Sequence, residues 1–176
     1  MAVVLDGDRI SRTLARIAHE VVERNRGVDE LAFVGIRRRG VPLARRLALL
    51  VGGIVGAQIP IGALDITLYR DDLMRHSIGD QPVVGSTDIK FSIDDKRILL
   101  VDDVLYTGRT IRAALDALLE FGRPPSIQLV VLVDRGHREL PIKADYVGKN
   151  LPTSLSQSVQ VHLMEIDGRD EVEIQE

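Results

Sequence analysis

Residues 98–110 read ILLVDDVLYTGRT, and they are the most informative stretch of this 176-residue chain. The apolar run Ile98–Val101 predicts a buried parallel strand, because a strand covered on both faces reads as continuously apolar sequence. Asp102 and Asp103 follow at the end of that run. The turn from Thr107 to Thr110 then opens a helix whose apolar residues recur every three or four positions.

Strands and helices alternate around this stretch. Residues 8–26 have the spacing of an amphipathic helix, and the apolar run at 31–36 predicts a second buried strand. A further helix is expected from about Pro42 to just before Gly52-Gly53, and residues 128–133 form another apolar run. The alternation predicts an α/β fold with a central, mainly parallel sheet and helices on both faces.

The remaining segments indicate one domain with two appendages. Residues 70–90 are polar and lack a sustained period, which is typical of a functional flap or of disorder. Residues 134–176 read as loops with short strands and predict a small hood. Because no repeat or low-complexity linker divides the sequence, we expect a single domain over residues 1–176.

Composition excludes several classes of function. The chain has no cysteine, so disulfides, thiolate metal sites and a cysteine nucleophile are ruled out. The net charge of −3 argues against a basic protein that coats nucleic acid. The N-terminus lacks the pattern of a signal peptide, and the apolar stretch at 47–55 is too short to span a bilayer. We therefore expect a cytoplasmic protein without a membrane partner.

The acid pair and the turn favour a phosphorylated sugar as ligand. Ligands of open α/β sheets bind at the carboxyl ends of the strands, where Asp102 and Asp103 lie. The N–H groups and dipole of a helix start, with the hydroxyls of Thr107 and Thr110, form a cradle for phosphate. The acids beside it would accept hydrogen bonds from sugar hydroxyls or reach a metal ion.

This stretch resembles the phosphoribosyl-pyrophosphate (PRPP) signature of type I phosphoribosyltransferases. The resemblance implies the type I fold, with the two acids on the ribose 2′- and 3′-hydroxyls and the turn on the 5′-phosphate. The residues implied to bind PRPP or the nucleotide product are Val101, Asp102, Asp103, Val104, Leu105, Tyr106, Thr107, Gly108, Arg109 and Thr110, with Arg39 and Gly40 from an earlier loop.

Two other classes place acids at a strand end. A receiver domain would carry its acid pair on the first strand, with a later acid and lysine that have no counterpart here. A haloacid-type phosphatase needs Asp-x-Asp, which Asp102-Asp103-Val104 does not supply.

Two further segments match the resemblance. Residues 37–40 read RRRG and lie where these enzymes have a pyrophosphate-binding loop, although arginine clusters are more often solvated surface. Tyr69 and Arg70 would form the root of a flap that closes over the pyrophosphate and excludes water, unless this is an ordinary surface loop. Mg²⁺ is expected to be held mainly through PRPP and not by the protein alone. The residues assigned to catalysis are Asp102, Asp103, Arg39, Tyr69 and Arg70.

The choice of base rests on the signature and on the segment after it. Purine phosphoribosyltransferases carry an acid immediately before the Thr-Gly pair, and Tyr106 stands there instead. Residues 133–142, VDRGHRELPI, resemble the PyrR family of pyrimidine operon regulators, and the resemblance covers almost the whole chain. It implies a uracil phosphoribosyltransferase that forms UMP and diphosphate from uracil and PRPP. The hood residues implied to cover uracil are Asp134, Arg135, Gly136 and His137.

The PyrR resemblance also implies regulation. It predicts binding to the leader of pyrimidine-operon messenger RNA, controlled by UMP or UTP, in a homodimer or homotetramer. The residues implied to contact RNA are Arg16, His19, Arg138 and Lys143. The alternatives are a solvated helix face with an Arg16–Glu20 ion pair, and a plain uracil salvage enzyme without RNA regulation.

Overall fold

The computed structural model describes residues 1–70 and 86–176, so most of the flap expected at 70–90 lies outside the described residues. Its elements in chain order are β1 (Ala2–Asp6), α1 (Gly7–Asn25), β2 (Leu31–Ile36), α2 (Gly40–Val55), β3 (Ile61–Leu64), a 3-10 turn (Thr67–Tyr69), β4 (Arg97–Leu105), α3 (Arg109–Leu119), β5 (Ser126–Asp134), β6 (Tyr146–Asn150), β7 (Ser158–His162), α4 (Met164–Asp167) and β8 (Glu171–Gln175).

The main sheet has the expected parallel arrangement, with strand order β3-β2-β4-β5-β6. Successive residues of β4 alternate between two cores. Leu99 and Val101 join a core with α1 and α2, whereas Ile98 and Leu100 join a core with α3. Because both faces are covered, all four side chains are almost completely buried, as their continuous apolar run predicted.

The order of the strands reverses between β2 and β4. The chain passes from β2 through α2 to β3 on one side, and β4 then pairs with the other side of β2. Such a switch point separates the loops that leave the two strands and opens a crevice at their carboxyl ends. The loop at residues 37–40 and the acid pair meet there.

A second, antiparallel sheet of order β1-β8-β7 joins both ends of the chain. Leu5, Val161 and Val172 insert from it into the α1 and α2 core. The hood was expected largely from residues 134–176, and β1 adds an N-terminal strand beside them. Among the described residues, no helix is long and apolar enough to cross a membrane.

Two boundaries differ from the sequence expectation. β4 continues past the acids to Leu105, because β5 keeps pairing with it as far as Asp134. α2 runs through Gly52-Gly53 and ends at Val55, where Gly56 adopts a left-handed conformation with φ of 71°. Buried apolar residues on the earlier turns hold α2 against the sheet, and the two glycines do not interrupt it.

Candidate active site

A cavity of about 310 Å³ lies at the carboxyl ends of β2 and β4. Residues from four separate stretches of sequence line it, and the structure thereby brings the predicted loop, flap root and signature together. The lining side chains with chemical function are Arg37–Arg39, Asp65, Arg70, Asp102, Asp103 and Thr110.

The acid pair is held by its own backbone. The Asp103 N–H donates to Asp102 Oδ1 at 2.9 Å, and the Val104 N–H donates to Asp103 Oδ1 at 2.8 Å. Asp102 is only 7% exposed, and Asp103 is half-buried. Burial first, and then the charge of Asp103, raise the pKa of Asp102 well above its ordinary value. The pair therefore favours a ligand whose hydroxyl groups replace the lost water.

The turn after β4 has the geometry of a phosphate cradle. Gly108 adopts a φ of 95°, which favours glycine, and no side chain caps the start of α3. The Thr107 hydroxyl oxygen accepts the Arg109 N–H at 3.2 Å. The Thr107 carbonyl accepts N–H groups from Glu139 and Leu140 at 2.9 and 3.1 Å, which fixes the turn against the segment after β5.

The arginine loop is packed against β4 at a position where a side chain does not fit. A Cβ on Gly40 would overlap the Val101 carbonyl oxygen, so the start of α2 approaches the acid pair closely only because this residue is glycine. The Arg37–Arg38 peptide bond is cis. Arg37 Nε donates to the Ser86 carbonyl at 2.6 Å, and Arg39 forms two hydrogen bonds with Asp167.

The two residues expected at the flap root occupy different places. Arg70 lines the cavity beside the arginine loop and the acids. Tyr69 is not among the residues that line it, and its half-buried ring packs against the α3 core. Tyr69 is therefore placed to anchor the flap root, and its assignment to catalysis stays a prediction.

Two of the expected hood residues, Arg135 and His137, lie against the ring of Tyr106. The buried Arg135 guanidinium lies 4.1 Å from the Tyr106 ring centre and donates to the Ser154 and Gln157 carbonyls. His137 meets the same ring edge-on at 6.1 Å, and its Nε2 lies 2.6 Å from the Thr153 carbonyl oxygen. This cluster fixes the position of the Tyr106 ring.

Asp134 and Gly136 form the turn that precedes this cluster. The Gly136 N–H donates to Asp134 Oδ1 at 3.0 Å, and Arg138 Nη2 donates to Oδ2 at 2.6 Å. Burial opposes ionisation of Asp134, but these two hydrogen bonds prevail and lower its pKa. The Asp134 carboxylate is thus an internal anchor in the ligand-free protein.

The four residues assigned to RNA are of two kinds. His19 and Lys143 are exposed, and their side chains make no hydrogen bond or ion pair with the described parts of the chain. Arg16 is half-exposed but donates to the Val147 and Gly148 carbonyls and pairs with Glu20 at 2.7 Å. The Arg138 side chain is 24% exposed, and its guanidinium pairs with Asp134 and donates to two backbone carbonyls.

Sequence reasoning missed two carboxylates. Asp65 Oδ1 accepts hydrogen bonds from the N–H and hydroxyl of Thr67, whereas the buried Oδ2 has no partner among the described residues. The position of Asp65 after a strand and before the expected flap was the one sequence signal that could have indicated it. Asp167 lies in a polar segment with no motif, and only the fold brings it to Arg39.

No group of three or more His, Asp or Glu side chains within residues 1–70 and 86–176 is arranged to hold a metal ion. The carboxylate oxygens that the cavity does offer belong to Asp65, Asp102 and Asp103. Oxygen donors of this kind fit Mg²⁺ that arrives already chelated by a polyphosphate and keeps several of its waters.

Comparisons with known proteins agree with this geometry. A family model described as the phosphoribosyl transferase domain matches residues 3–165. The bifunctional protein PyrR of Pelotomaculum thermopropionicum is 61% identical over 99% of this chain and 96% of its own length. The bifunctional protein PyrR of Deinococcus radiodurans is 58% identical over 98% and 93%, respectively.

A solved structure supports the fold. The hypoxanthine phosphoribosyltransferase of Trypanosoma cruzi superposes with a TM-score of 0.72 at 17% identity, over 99% of this chain and 95% of that one. Fold, signature and domain match therefore define a phosphoribosyltransferase of type I. Within that class, the chain belongs to the PyrR family of bifunctional proteins. The expected pairing of a pyrimidine regulator with a uracil phosphoribosyltransferase is thereby confirmed.

Proposed function

We propose that one nucleotide site serves both activities of this protein. In catalysis, it transfers ribosyl phosphate from PRPP to uracil and releases UMP and diphosphate. In regulation, the same site binds UMP or UTP and thereby controls binding to the pyrimidine-operon leader RNA. The observation that carries this proposal is the convergence of acid pair, phosphate turn and arginine loop on one cavity.

The acid pair orients the ribose. Asp103, half-buried at the cavity, accepts hydrogen bonds from the 2′- and 3′-hydroxyls together with Asp102. The turn from Thr107 to Thr110 holds the 5′-phosphate on N–H groups at the start of α3. With both ends of the sugar fixed, its anomeric carbon is presented in one orientation, which lowers the entropic barrier to transfer.

The arginine side of the cavity stabilises the leaving diphosphate. Arg39 and Arg70 supply cations, and the close packing of Gly40 on Val101 brings the start of α2 to the same place. Mg²⁺ that arrives with PRPP would neutralise part of the diphosphate charge, and Asp103 would accept hydrogen bonds from the waters of that ion.

The aromatic cluster around Tyr106 selects the base. No carboxylate precedes the Thr-Gly pair, so a purine ring would lack the acid that serves it in purine enzymes. The hood residues Asp134, Arg135, Gly136 and His137 cover uracil. His137 acts in recognition, since its Nε2 is already engaged with a backbone carbonyl.

RNA recognition uses the exposed side chains. His19 and Lys143 contact phosphates or unpaired bases directly, whereas Arg16 and Arg138 support the surface that carries them. Nucleotide binding biases the protein toward the RNA-binding state, and the two ligands raise each other's affinity. The protein acts in the cytoplasm, where leader RNA is accessible, as a dimer or tetramer.

A base-specificity assay tests the catalytic proposal. Uracil and hypoxanthine are offered separately with radiolabelled PRPP and Mg²⁺, and the labelled products are separated. UMP formation from uracil, with no IMP from hypoxanthine, is expected. IMP as the main product would contradict the role given to Tyr106. A protein that forms UMP but does not bind leader RNA would be a salvage enzyme only.

A further inference from the structure

Arg39 is held from one side by Asp167, a residue to which neither the signature nor the loop assigns a role. Arg39 Nη2 lies 2.7 Å from Asp167 Oδ1, and Nε lies 3.1 Å from Oδ2. This is the bidentate geometry in which a planar guanidinium is fixed in both position and orientation. Both side chains are largely shielded from water, at 30% and 17% exposure.

Asp167 is itself fixed in place. Its Oδ2 accepts the Leu163 N–H at 2.8 Å, and its own N–H donates to the Leu163 carbonyl at 2.6 Å. Leu163 is fully buried in the α1 and α2 core. The carboxylate that holds Arg39 is therefore supported by backbone and core, and is not a mobile surface group.

The contact leaves one edge of the guanidinium available. Asp167 occupies Nε and Nη2, and Nη1 of Arg39 forms no hydrogen bond with the described residues. Arg39 also lines the cavity that contains Asp103. A guanidinium gripped along one edge presents its remaining donors in a fixed direction, without the entropic cost of ordering a free side chain on ligand binding.

We propose that Asp167 is a positioning residue for the diphosphate end of the reaction: it orients Arg39 so that the free Nη1 edge meets the diphosphate of PRPP. This inference rests on the proposed function, since it requires Arg39 to contact that group. Asp167 of α4 would thereby act together with the arginine loop after β2 in binding diphosphate.

A purely structural role is the alternative, and the chain contains a matched control for it. About two helical turns after Arg39, Arg46 Nη2 of α2 pairs with Glu165 Oε1 at 2.6 Å and with Asp170 Oδ1 at 2.7 Å. These bonds also tie the α4 segment to α2, but Arg46 does not line the cavity. A residue that merely clamps α4 would behave like Glu165.

The test compares Asp167→Asn with Glu165→Gln in steady-state assays of UMP formation. For Asp167→Asn we expect KM for PRPP and the inhibition constant of diphosphate to rise roughly tenfold, with KM for uracil within about twofold of wild type. Glu165→Gln is expected to leave all three constants unchanged. Asp167→Glu keeps the charge but shifts the carboxylate by one methylene group, and it is expected to raise the same two constants.

Unchanged constants for PRPP and diphosphate in both Asp167 variants would overturn the inference. Equal rises in Asp167→Asn and Glu165→Gln would overturn it too, since they would indicate a clamp. Arg39→Gln separates this failure from failure of the proposed function. If Arg39→Gln leaves KM for PRPP unchanged, Arg39 does not contact diphosphate, and the assignment of the loop fails first.

Discussion

The Tyr106 carbonyl oxygen accepts a hydrogen bond from Arg138 Nη1 at 2.9 Å. The same guanidinium donates to the Ile142 carbonyl at 2.8 Å and to Asp134 Oδ2 at 2.6 Å. Arg138 thus joins the residue that precedes the proposed 5′-phosphate turn to the segment that leads to Lys143. The nucleotide site and one of the exposed cations assigned to RNA belong to the same hydrogen-bonded unit.

Arg138→Gln is expected to weaken binding of both UMP and RNA. The substitution leaves Asp134 and two carbonyls without their donor, which costs about 1–3 kcal/mol in the free energy of unfolding. Calorimetric titration with UMP and filter binding with leader RNA measure the two effects. Lys143→Gln is the control and is expected to weaken RNA binding alone. An unchanged UMP affinity in Arg138→Gln would mean that Arg138 acts only by contacting RNA.

Asp103→Asn is expected to reduce UMP formation by about 10²-fold, because the ribose loses a charged acceptor that fixes its orientation. The fold should persist, since the amide oxygen can still accept the Val104 N–H. The measurement is initial rate at saturating uracil and PRPP, alongside the thermal unfolding midpoint. Near-normal turnover in a folded variant would remove Asp103 from the ribose site.

Gly40→Ala tests the close approach of the arginine loop to β4. The added methyl group overlaps the Val101 carbonyl oxygen, so the loop must move away from the acid pair. We expect a loss of about 1–3 kcal/mol in the free energy of unfolding and a rise in KM for PRPP. Gly53→Ala in the same helix meets no atom within 4 Å and is the control. Equal behaviour of the two variants would contradict the packing argument.

Acid stability reports on the Arg39–Asp167 pair. The hydrogen bond from Arg39 outweighs burial and lowers the pKa of Asp167 to about 2, against about 3.9 in an unfolded chain. Because the folded state keeps this carboxylate ionised, its contribution to stability is complete above about pH 4 and is lost as the pH falls toward 2. The free energy of unfolding is measured with urea at pH 5, 4 and 3. Between pH 5 and pH 3 it should fall less in Asp167→Asn than in the wild type. Parallel losses would mean that the pair does not form in solution.

The main sheet was predictable because its signals are local. A strand buried on both faces must be continuously apolar, as 31–36 and 98–101 are, and the stripe of α3 has the period of a helix. The end of β4 was less predictable, because the acids stay in the strand only through pairing with β5. β1 was missed because five residues at the N-terminus become a strand only against β8.

The residues of the candidate site also differ in how far the sequence could predict them. The proposed phosphate loop could be inferred from the sequence, because its residues are continuous in the chain. Asp167 could not, since its partner Arg39 is distant in the chain and α4 carries no motif. The internal use of Arg138 also required the structure, because an arginine reads the same in sequence whether it binds RNA or a backbone carbonyl.

The central claim is that one nucleotide site governs both chemistry and RNA binding. The most direct measurement is a filter-binding titration of the wild-type protein with pyrimidine-operon leader RNA, with and without UMP, at two salt concentrations. We expect UMP to tighten binding and higher salt to weaken it steeply, as displacement of counterions from phosphates requires. An RNA affinity that is the same with and without UMP, in a protein that still converts uracil to UMP, would contradict the account.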